Sequence, residues 1–70
     1  MWPFDPPYPT LKRVIINTLS DRAFRGLLWR KVNGYLVLRE VELLKAKGEV
    51  TPMDGEVLIE SANVDFMQVI

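Results

Sequence analysis

The 70-residue sequence contains neither cysteine nor histidine. Their absence excludes disulfide bonds, thiolate nucleophiles and metal sites built from Cys or His ligands, and it removes the commonest general base. No stretch approaches the ~20 consecutive apolar residues that a membrane-spanning helix requires, and the N-terminus lacks the basic and apolar regions of a signal peptide. We therefore expect a protein of the cytoplasm or of a virion, with no cofactor, no metal and no contact with a membrane.

An excess of charge of either sign is also missing, because nine basic residues balance nine acidic ones. Such a chain has no long-range field that would attract nucleic acid or an acidic membrane surface. Its length allows one small domain with a small hydrophobic core. Since no disulfide can reinforce that core, association with copies of itself or with other subunits is the remaining means of stabilisation.

The sequence offers no arrangement of side chains that predicts catalysis. Ser20 and Ser61 lie in turn-like contexts, and no His or Cys is present to form a nucleophile and base pair. The carboxylates are scattered along the chain without the spacing of an acid and base pair. We expect a protein that is not an enzyme and has no small-molecule substrate.

Four of the five prolines fall within the first nine residues, together with three aromatic side chains. Because proline has no backbone N–H group, residues 1–10 predict an extended, polyproline-like arm. A floppy terminus is the plain alternative. Aromatic side chains are costly to leave in water, so we expect the arm to dock on its own domain or on a partner through Trp2, Phe4 and Tyr8.

Residues 11–70 predict an all-β domain, because β-branched and aromatic residues recur between short turn signals. The Asn33-Gly34 pair is the strongest hairpin signal, since a type I′ turn needs positive φ at both positions. Gly26 lies inside a strand-like segment and indicates a bend or bulge. The expected fold is a small five-stranded SH3-like barrel. Its strands are expected at residues 11–19, 24–32, 35–44, 56–61 and 63–70, with residues 45–56 as a loop or a short ribbon.

The strands carry more apolar side chains than one small core can hold. For the first strand, alternation leaves two inward sets open, either Val14 and Ile16 or Ile15 and Leu19. In the other strands, the side chains expected to fill the barrel are Phe24, Leu28, Leu36, Leu38, Ile59, Val64 and Phe66. Those expected to point outward are Leu27, Trp29, Tyr35, Val37 and Met67. This outward apolar surface is large for a monomer, and it predicts an interface with another chain.

Basic residues concentrate in the first half of the chain, where they alternate with aromatic ones. Such a surface can bind single-stranded nucleic acid by phosphate pairing and base stacking. The candidate residues are Arg25, Trp29, Arg30 and Lys31. The alternative is a solvated strand face neutralised by acids on the next strand, such as Glu40 and Glu42. A net charge of zero favours this alternative, because nonspecific affinity for nucleic acid depends on released counterions.

The segments "LSDRAFRGLLWRK", "NGYLVLREVEL" and "GEVLIESANVDFMQVI" resemble the Sm-like (LSm) family of small β-barrels over about residues 11–70. Gly26 and Leu28 match the Gly-x-Leu of the family's first signature. Ile59 and Val64 match the ends of its second signature, Ile-Arg-Gly-x-x-Val. The resemblance implies a five-stranded Sm-like barrel, pairing of strand edges between subunits, and RNA binding.

The chain departs from that family at the residues that hold RNA. Glu60 and Ser61 stand where the family places the Arg-Gly that helps to hold a uridine, and a carboxylate at Glu60 would repel a phosphate. The family's helix before the first strand is replaced by the proline-rich arm. The resemblance therefore implies the fold more strongly than it implies the RNA site.

These observations favour a non-enzymatic structural or assembly subunit that self-associates or docks in a larger complex, for which a phage virion is a plausible setting. The alternative is a ring-forming Sm-like protein that binds RNA. A small regulatory inhibitor of a host protein is a third class that the length of the chain allows.

Overall fold

The computed structural model describes residues 10–70, so the aromatic side chains expected to dock from the arm lie outside the described residues. The described chain forms an all-antiparallel sheet of six strands and contains no α-helix. Two 3₁₀ turns, at Ala46–Gly48 and Ser61–Asn63, follow β3 and β5. The strands are β1 Lys12–Thr18, β2 Ala23–Val32, β3 Tyr35–Leu44, β4 Val50–Met53, β5 Val57–Glu60 and β6 Val64–Val69.

The expected count of five strands is wrong because β4 forms within the segment that was expected to be a loop or a short ribbon. β4 is four residues long and contains Pro52, which weakens its strand signal. It is held by β3, whose second half pairs with it from Val41 opposite Met53 to Leu44 opposite Val50. The other five expected strands are present within a few residues of their expected ends.

β3 is the organising strand, because it pairs with three others. Along one edge it forms the longest ladder of the sheet, with β2, through the tight turn at Asn33 and Gly34. Both turn residues have positive φ, 48° and 80°, as the hairpin signal predicted. Along its other edge, the first half of β3 pairs with β5 and the second half with β4. The sheet order is β4-β3-β2-β1-β6, with β5 joined to β3.

Two bulges of opposite sense bend the β2–β3 ladder. Between the Arg25–Glu42 and Leu27–Arg39 pairs, β3 has one extra residue, and Glu40 there adopts a φ of 52°. Between the Leu28–Leu38 and Arg30–Val37 pairs, the extra residue lies in β2 and is Trp29. A bulge adds a bend and a local twist, and two of them fold the long hairpin over the core.

The core lies on the concave side of this bent sheet. Val14 and Ile16 point inward from β1, which decides between the two choices that alternation left open. Phe24, Met53, Val57, Val64 and Met67 are partly buried and pack against the core cluster. The fully enclosed cluster consists of Val14, Ile16, Leu28, Leu36, Leu38, Val41 and Ile59.

The face expected for part of β6 is wrong. Phe66 was expected in the core, yet its side chain is 51% exposed, and Met67, expected to point outward, packs against the core. The cause is a register shift in the β1–β6 ladder, where Asn17 pairs with Phe66 and Thr18 pairs with Val64. Asp65 is therefore an extra residue, and it reverses the alternation of the side chains that follow it.

The sheet is open, whereas a closed barrel was expected. In residues 10–70, β5 pairs only with β3 and β6 pairs only with β1, so no ladder joins β5 to β6. The 3₁₀ turn between them bridges the gap through its backbone. The Ser61 amide donates to the Gly34 carbonyl oxygen (2.8 Å), and the Leu19 amide donates to the Asn63 carbonyl oxygen (2.8 Å).

Candidate functional site

The free edges of β5 and β6 form the candidate functional site. Each strand has one edge in a ladder, so the N–H and C=O groups of its other edge have no strand partner in the described part of the chain. An unpaired strand edge is a template for pairing with another chain. The open sheet thus presents two such templates, one at each side of its gap.

Both edge strands expose a large apolar side chain on the convex face of the sheet. Leu58 is 59% exposed and lies opposite Val37, which points away from the core between two core leucines of β3. Phe66 is 51% exposed and lies opposite Asn17, which likewise points away from the core. The two edges therefore combine backbone pairing capacity with apolar surface on the same face.

An open groove of about 660 Å³ runs beside β5. All four residues of β5 line it, and Phe24 contributes an aromatic wall. Tyr35 also lines the groove and is 40% exposed. The rest of the lining comes from the end of β1, the β1–β2 turn and the second 3₁₀ turn: Thr18, Ser20, Arg22, Ala62 and Asn63.

A cluster of hydrogen bonds fixes the position of the two turns that line the groove, the β1–β2 turn and the 3₁₀ turn after β5. The Thr18 hydroxyl is buried, lies 3.0 Å from the Ser20 hydroxyl and accepts from the Arg22 amide at 3.2 Å. The Asn63 side-chain amide donates to Ser20 Oγ at 3.4 Å. Ser61 Oγ donates to the Gly34 carbonyl oxygen at 2.9 Å. These bonds tie the 3₁₀ turn after β5 to the β1–β2 turn and to the β2–β3 turn. The free edge of β5 is therefore held in a defined place.

The outward residues expected to form an interface differ in their exposure. Tyr35 is exposed, whereas Leu27 and Trp29 are half-buried. Val37 is only 5% exposed, so it contributes almost no free apolar surface, and Met67 is directed to the core. The role of these residues in an interface, like that of the aromatic side chains in the arm, stays a prediction.

Trp29 is half-buried because it lies under a cation. The Arg39 guanidinium carbon is 3.9 Å from the centroid of the Trp29 ring. Arg39 Nε in turn donates to Glu56 Oε2 at 2.8 Å. The aromatic face that could have stacked on a base is thus occupied by an arginine whose charge is already balanced.

One charge of the basic surface expected to bind nucleic acid is neutralised by an acid on the neighbouring strand. Arg25 forms an ion pair with Glu42 on β3, at 2.6 Å between Nη2 and Oε1. Arg13 on β1 forms an ion pair with Glu40 on β3, at 3.2 Å, across the intervening strand β2. The Arg25–Glu42 contact is a cross-strand pair of the kind that the alternative interpretation foresaw.

Arg30 and Lys31 complete the expected nucleic-acid surface, and their surroundings differ. Arg30 is exposed and has no ion-pair partner within residues 10–70, whereas Lys31 is half-buried opposite Leu36. Of the four candidate residues, Arg30 presents the most accessible charge.

The sequence analysis did not identify Leu58 and Phe66 as exposed residues on the two free strand edges. Leu58 alternates with Val57 and Ile59, so its outward direction could have been predicted from the strand pattern alone. Phe66 could not, because its direction depends on the bulge at Asp65. The free edges themselves depend on which strands pair, and that is a property of the tertiary fold.

Residues 10–70 include no group of three or more acidic side chains that could hold a metal ion. Within the same residues, no helix is long and apolar enough to cross a membrane.

Comparison with known proteins gave matches of structure but not of sequence. A scan of family models and a search of the curated proteins found no significant match. Among solved structures, a heptameric archaeal Sm protein is similar, with a TM-score of 0.74 and 23% identity over 86% of this chain and 87% of that one. The SmAP1 heptamer of P. aerophilum has the same TM-score and identity, over 86% of this chain and 80% of that one.

A chain in the structure of the NatC complex bound to CoA is also similar, with a TM-score of 0.76 and 20% identity. That likeness covers 96% of this chain and 90% of the other. At such low identity these matches establish architecture, and they agree with the resemblance found in the sequence. The chain therefore has the Sm-like fold, as an open sheet of six strands.

Proposed function

We propose that this chain is a non-enzymatic assembly subunit whose copies join edge to edge, with β6 of one copy pairing with β5 of the next. The observation that carries the proposal is the pair of free strand edges, each with an exposed apolar side chain on the convex face. Because the two edges are different surfaces, the contact is head-to-tail, and repetition leads to a ring or a filament. The heptameric state of two structural neighbours supports a ring.

The third free edge, that of β4, is less suited to pairing. β4 pairs only with β3, but Pro52 removes one backbone donor from this short strand. Proline in an edge strand is a common protection against unwanted pairing. In the described chain, β5 and β6 contain no proline, so association is directed to them.

The test is a charge placed on the β5 edge. Leu58→Asp would place a carboxylate in the contact, where burial without a partner is costly. The variant should remain folded, because Leu58 is exposed in the single chain. Light scattering during gel filtration should show wild type as a multiple of 8.1 kDa and the variant as a monomer.

The matched control is Leu11→Asp, which changes another exposed leucine that belongs to neither β5 nor β6. It should assemble as wild type does. If Leu58→Asp keeps the mass of wild type, the β5 edge is not the contact and the proposal fails.

A second candidate function is RNA binding by the assembled ring. The Sm-like fold and the exposed guanidinium of Arg30 support it, while the ion pair of Arg25 and the occupied face of Trp29 limit the surface that is available. No observation supports the virion role that the sequence suggested, and we do not propose it.

Titration of a fluorescent uridine-rich oligonucleotide at several salt concentrations tests RNA binding. If Arg30 neutralises a phosphate, Arg30→Glu should weaken binding and lower the slope of log K against log salt by about 0.7 for each phosphate left without its cation. Lys47→Glu, at an exposed residue of the β3–β4 connection, is the control and should have a smaller effect. Absence of salt-dependent binding by wild type would exclude this function.

A further inference from the structure

The end of β2 forms a further free edge of the sheet, on the side of β1. The β1–β2 ladder begins with Lys12 opposite Leu28, whereas β2 continues beyond Leu28 to Val32. This last part of β2 therefore has β3 on one side and, within residues 10–70, no strand on the other. Natural proteins usually cover or protect edges of this kind, because such edges can pair with another chain.

The chain that precedes β1 begins at the same place. The Leu11 amide donates to the Leu28 carbonyl oxygen at 2.6 Å, so Leu11 lies beside the end of the ladder. Thr10 and Leu11 form a turn, and Leu11 has a φ of 61°. A positive φ is uncommon for leucine, and here it turns the chain out of the line of β1. Residues 1–9 are thus attached directly next to the free edge of β2.

We propose that residues 1–9 of the same chain cover this edge of β2 from Trp29 to Val32. In a polyproline-like conformation these nine residues span about 28 Å, whereas the four residues of the edge span only about 13 Å. The arm is therefore long enough to cover the edge without any change in the rest of the fold. The inference does not depend on the proposed assembly, because both segments belong to one copy.

The charges of the two segments are complementary. Residues 1–9 contain one acidic side chain, Asp5, and no basic one. The edge of β2 carries two basic residues, Arg30, which is exposed, and Lys31, which is half-buried. An arm with a single negative side chain is attracted to this edge, because opposite charges that approach each other lower the electrostatic energy.

The apolar side chains and the backbone of the arm also suit this edge. Val32 is 36% exposed and Trp29 is half-buried. The three aromatic side chains of residues 1–9 can bury apolar surface against them. The carbonyl groups of the arm can accept hydrogen bonds from β2, but its four prolines offer no N–H group to a further strand. The arm therefore covers the edge without becoming a new edge for pairing.

Hydrogen exchange in the 70-residue chain tests the proposal. In the triple variant Trp2→Ser, Phe4→Ser, Tyr8→Ser, the arm loses its apolar contacts with the edge. Peptides that cover Trp29–Val32 should then exchange about 2- to 12-fold faster than in wild type, the range that corresponds to the loss of one hydrogen bond. Peptides that cover β6 should exchange as in wild type.

Reversal of the charge of the arm gives a second variant. Asp5→Lys should also speed exchange at Trp29–Val32, because the new lysine is repelled by Arg30 and Lys31. The matched control is Asp54→Lys, which makes the same charge change at an exposed aspartate between β4 and β5. The control should leave exchange at Trp29–Val32 unchanged.

Four results would overturn the proposal. Equal exchange at Trp29–Val32 in wild type and the triple variant would show that the arm does not cover the edge. An effect of Asp5→Lys no larger than that of Asp54→Lys would show that the charges do not meet. Faster exchange throughout the triple variant would assign the arm to the core. Protection of Trp29–Val32 that persists in the triple variant and is lost on dilution would assign the edge to a second copy.

Discussion

Gly26 of β2 lies so close to β3 that a Cβ atom on it would be 3.0 Å from the carbonyl oxygen of Arg39. The same Cβ would be 3.2 Å from Cγ2 of Val41 and 3.3 Å from its Cα. Two of these three atoms belong to the backbone, so they cannot move away by a change of rotamer. This approach occurs where β3 has its extra residue, and it allows the hairpin to bend over the core.

Gly26→Ala should therefore destabilise the fold although the change adds only a methyl group. Overpacking of a tight site typically costs about 1–3 kcal/mol. The midpoint of urea denaturation, followed by circular dichroism, should fall accordingly. Gly34→Ala is an informative comparison, because that glycine has a φ of 80° but no atom within 4 Å of its added Cβ, so the cost there is conformational. A midpoint for Gly26→Ala equal to that of wild type would show that the bend does not require glycine.

Pro52 is expected to limit association at the edge of β4. Pro52→Val restores a backbone donor and a residue with high strand propensity, so this edge should become competent for pairing. We expect the variant to scatter more light over time and to form species larger than wild type at equal concentration. Unchanged scattering would mean that the β4 edge is protected by something other than its proline.

The hydroxyl of Ser61 helps to hold the 3₁₀ turn after β5 against the β2–β3 turn. Its Oγ donates to the Gly34 carbonyl oxygen, which also accepts from the Ser61 amide. Ser61→Ala removes one of these two bonds and should cost roughly 0.5–1.5 kcal/mol of unfolding free energy. Hydrogen exchange at the amide of residue 61 should also become faster. A variant with full stability and unchanged exchange would contradict this role.

The Arg25–Glu42 ion pair should contribute little to stability despite its short distance. Both side chains are more than one third exposed, and solvent screens pairs of this kind. A double-mutant cycle with Arg25→Gln and Glu42→Gln should give a coupling of about 0.2–1 kcal/mol that decreases with added salt. A coupling above about 3 kcal/mol, the size typical of a buried pair, would show that this face is not solvated.

Local signals in the sequence predicted most of the strands and the bend. The Asn33-Gly34 pair specifies its turn through backbone conformation alone, and Gly26 marks a close approach that only glycine allows. Alternation also placed Leu36 and Leu38 in the core. Each of these features depends on a few adjacent residues, so the sequence carries the signal directly.

The remaining features depend on partners that are distant in sequence. Asp65 becomes an extra residue only when β6 aligns with β1, and this reversed the expected faces of Phe66 and Met67. β4 forms because β3 offers it an edge. The charges of Arg25 and Arg39 are neutralised by acids 17 residues further along the chain. The alternation of apolar and polar residues within one segment does not reveal which distant segment pairs with it or where a bulge forms.

The native mass of the purified 70-residue chain tests the central claim most directly. Native mass spectrometry, repeated at low and high salt, should give a single closed multiple of 8.1 kDa in both conditions, because the contact is made by backbone pairing and apolar side chains. A monomer of 8.1 kDa at concentrations well above micromolar would contradict edge-to-edge assembly.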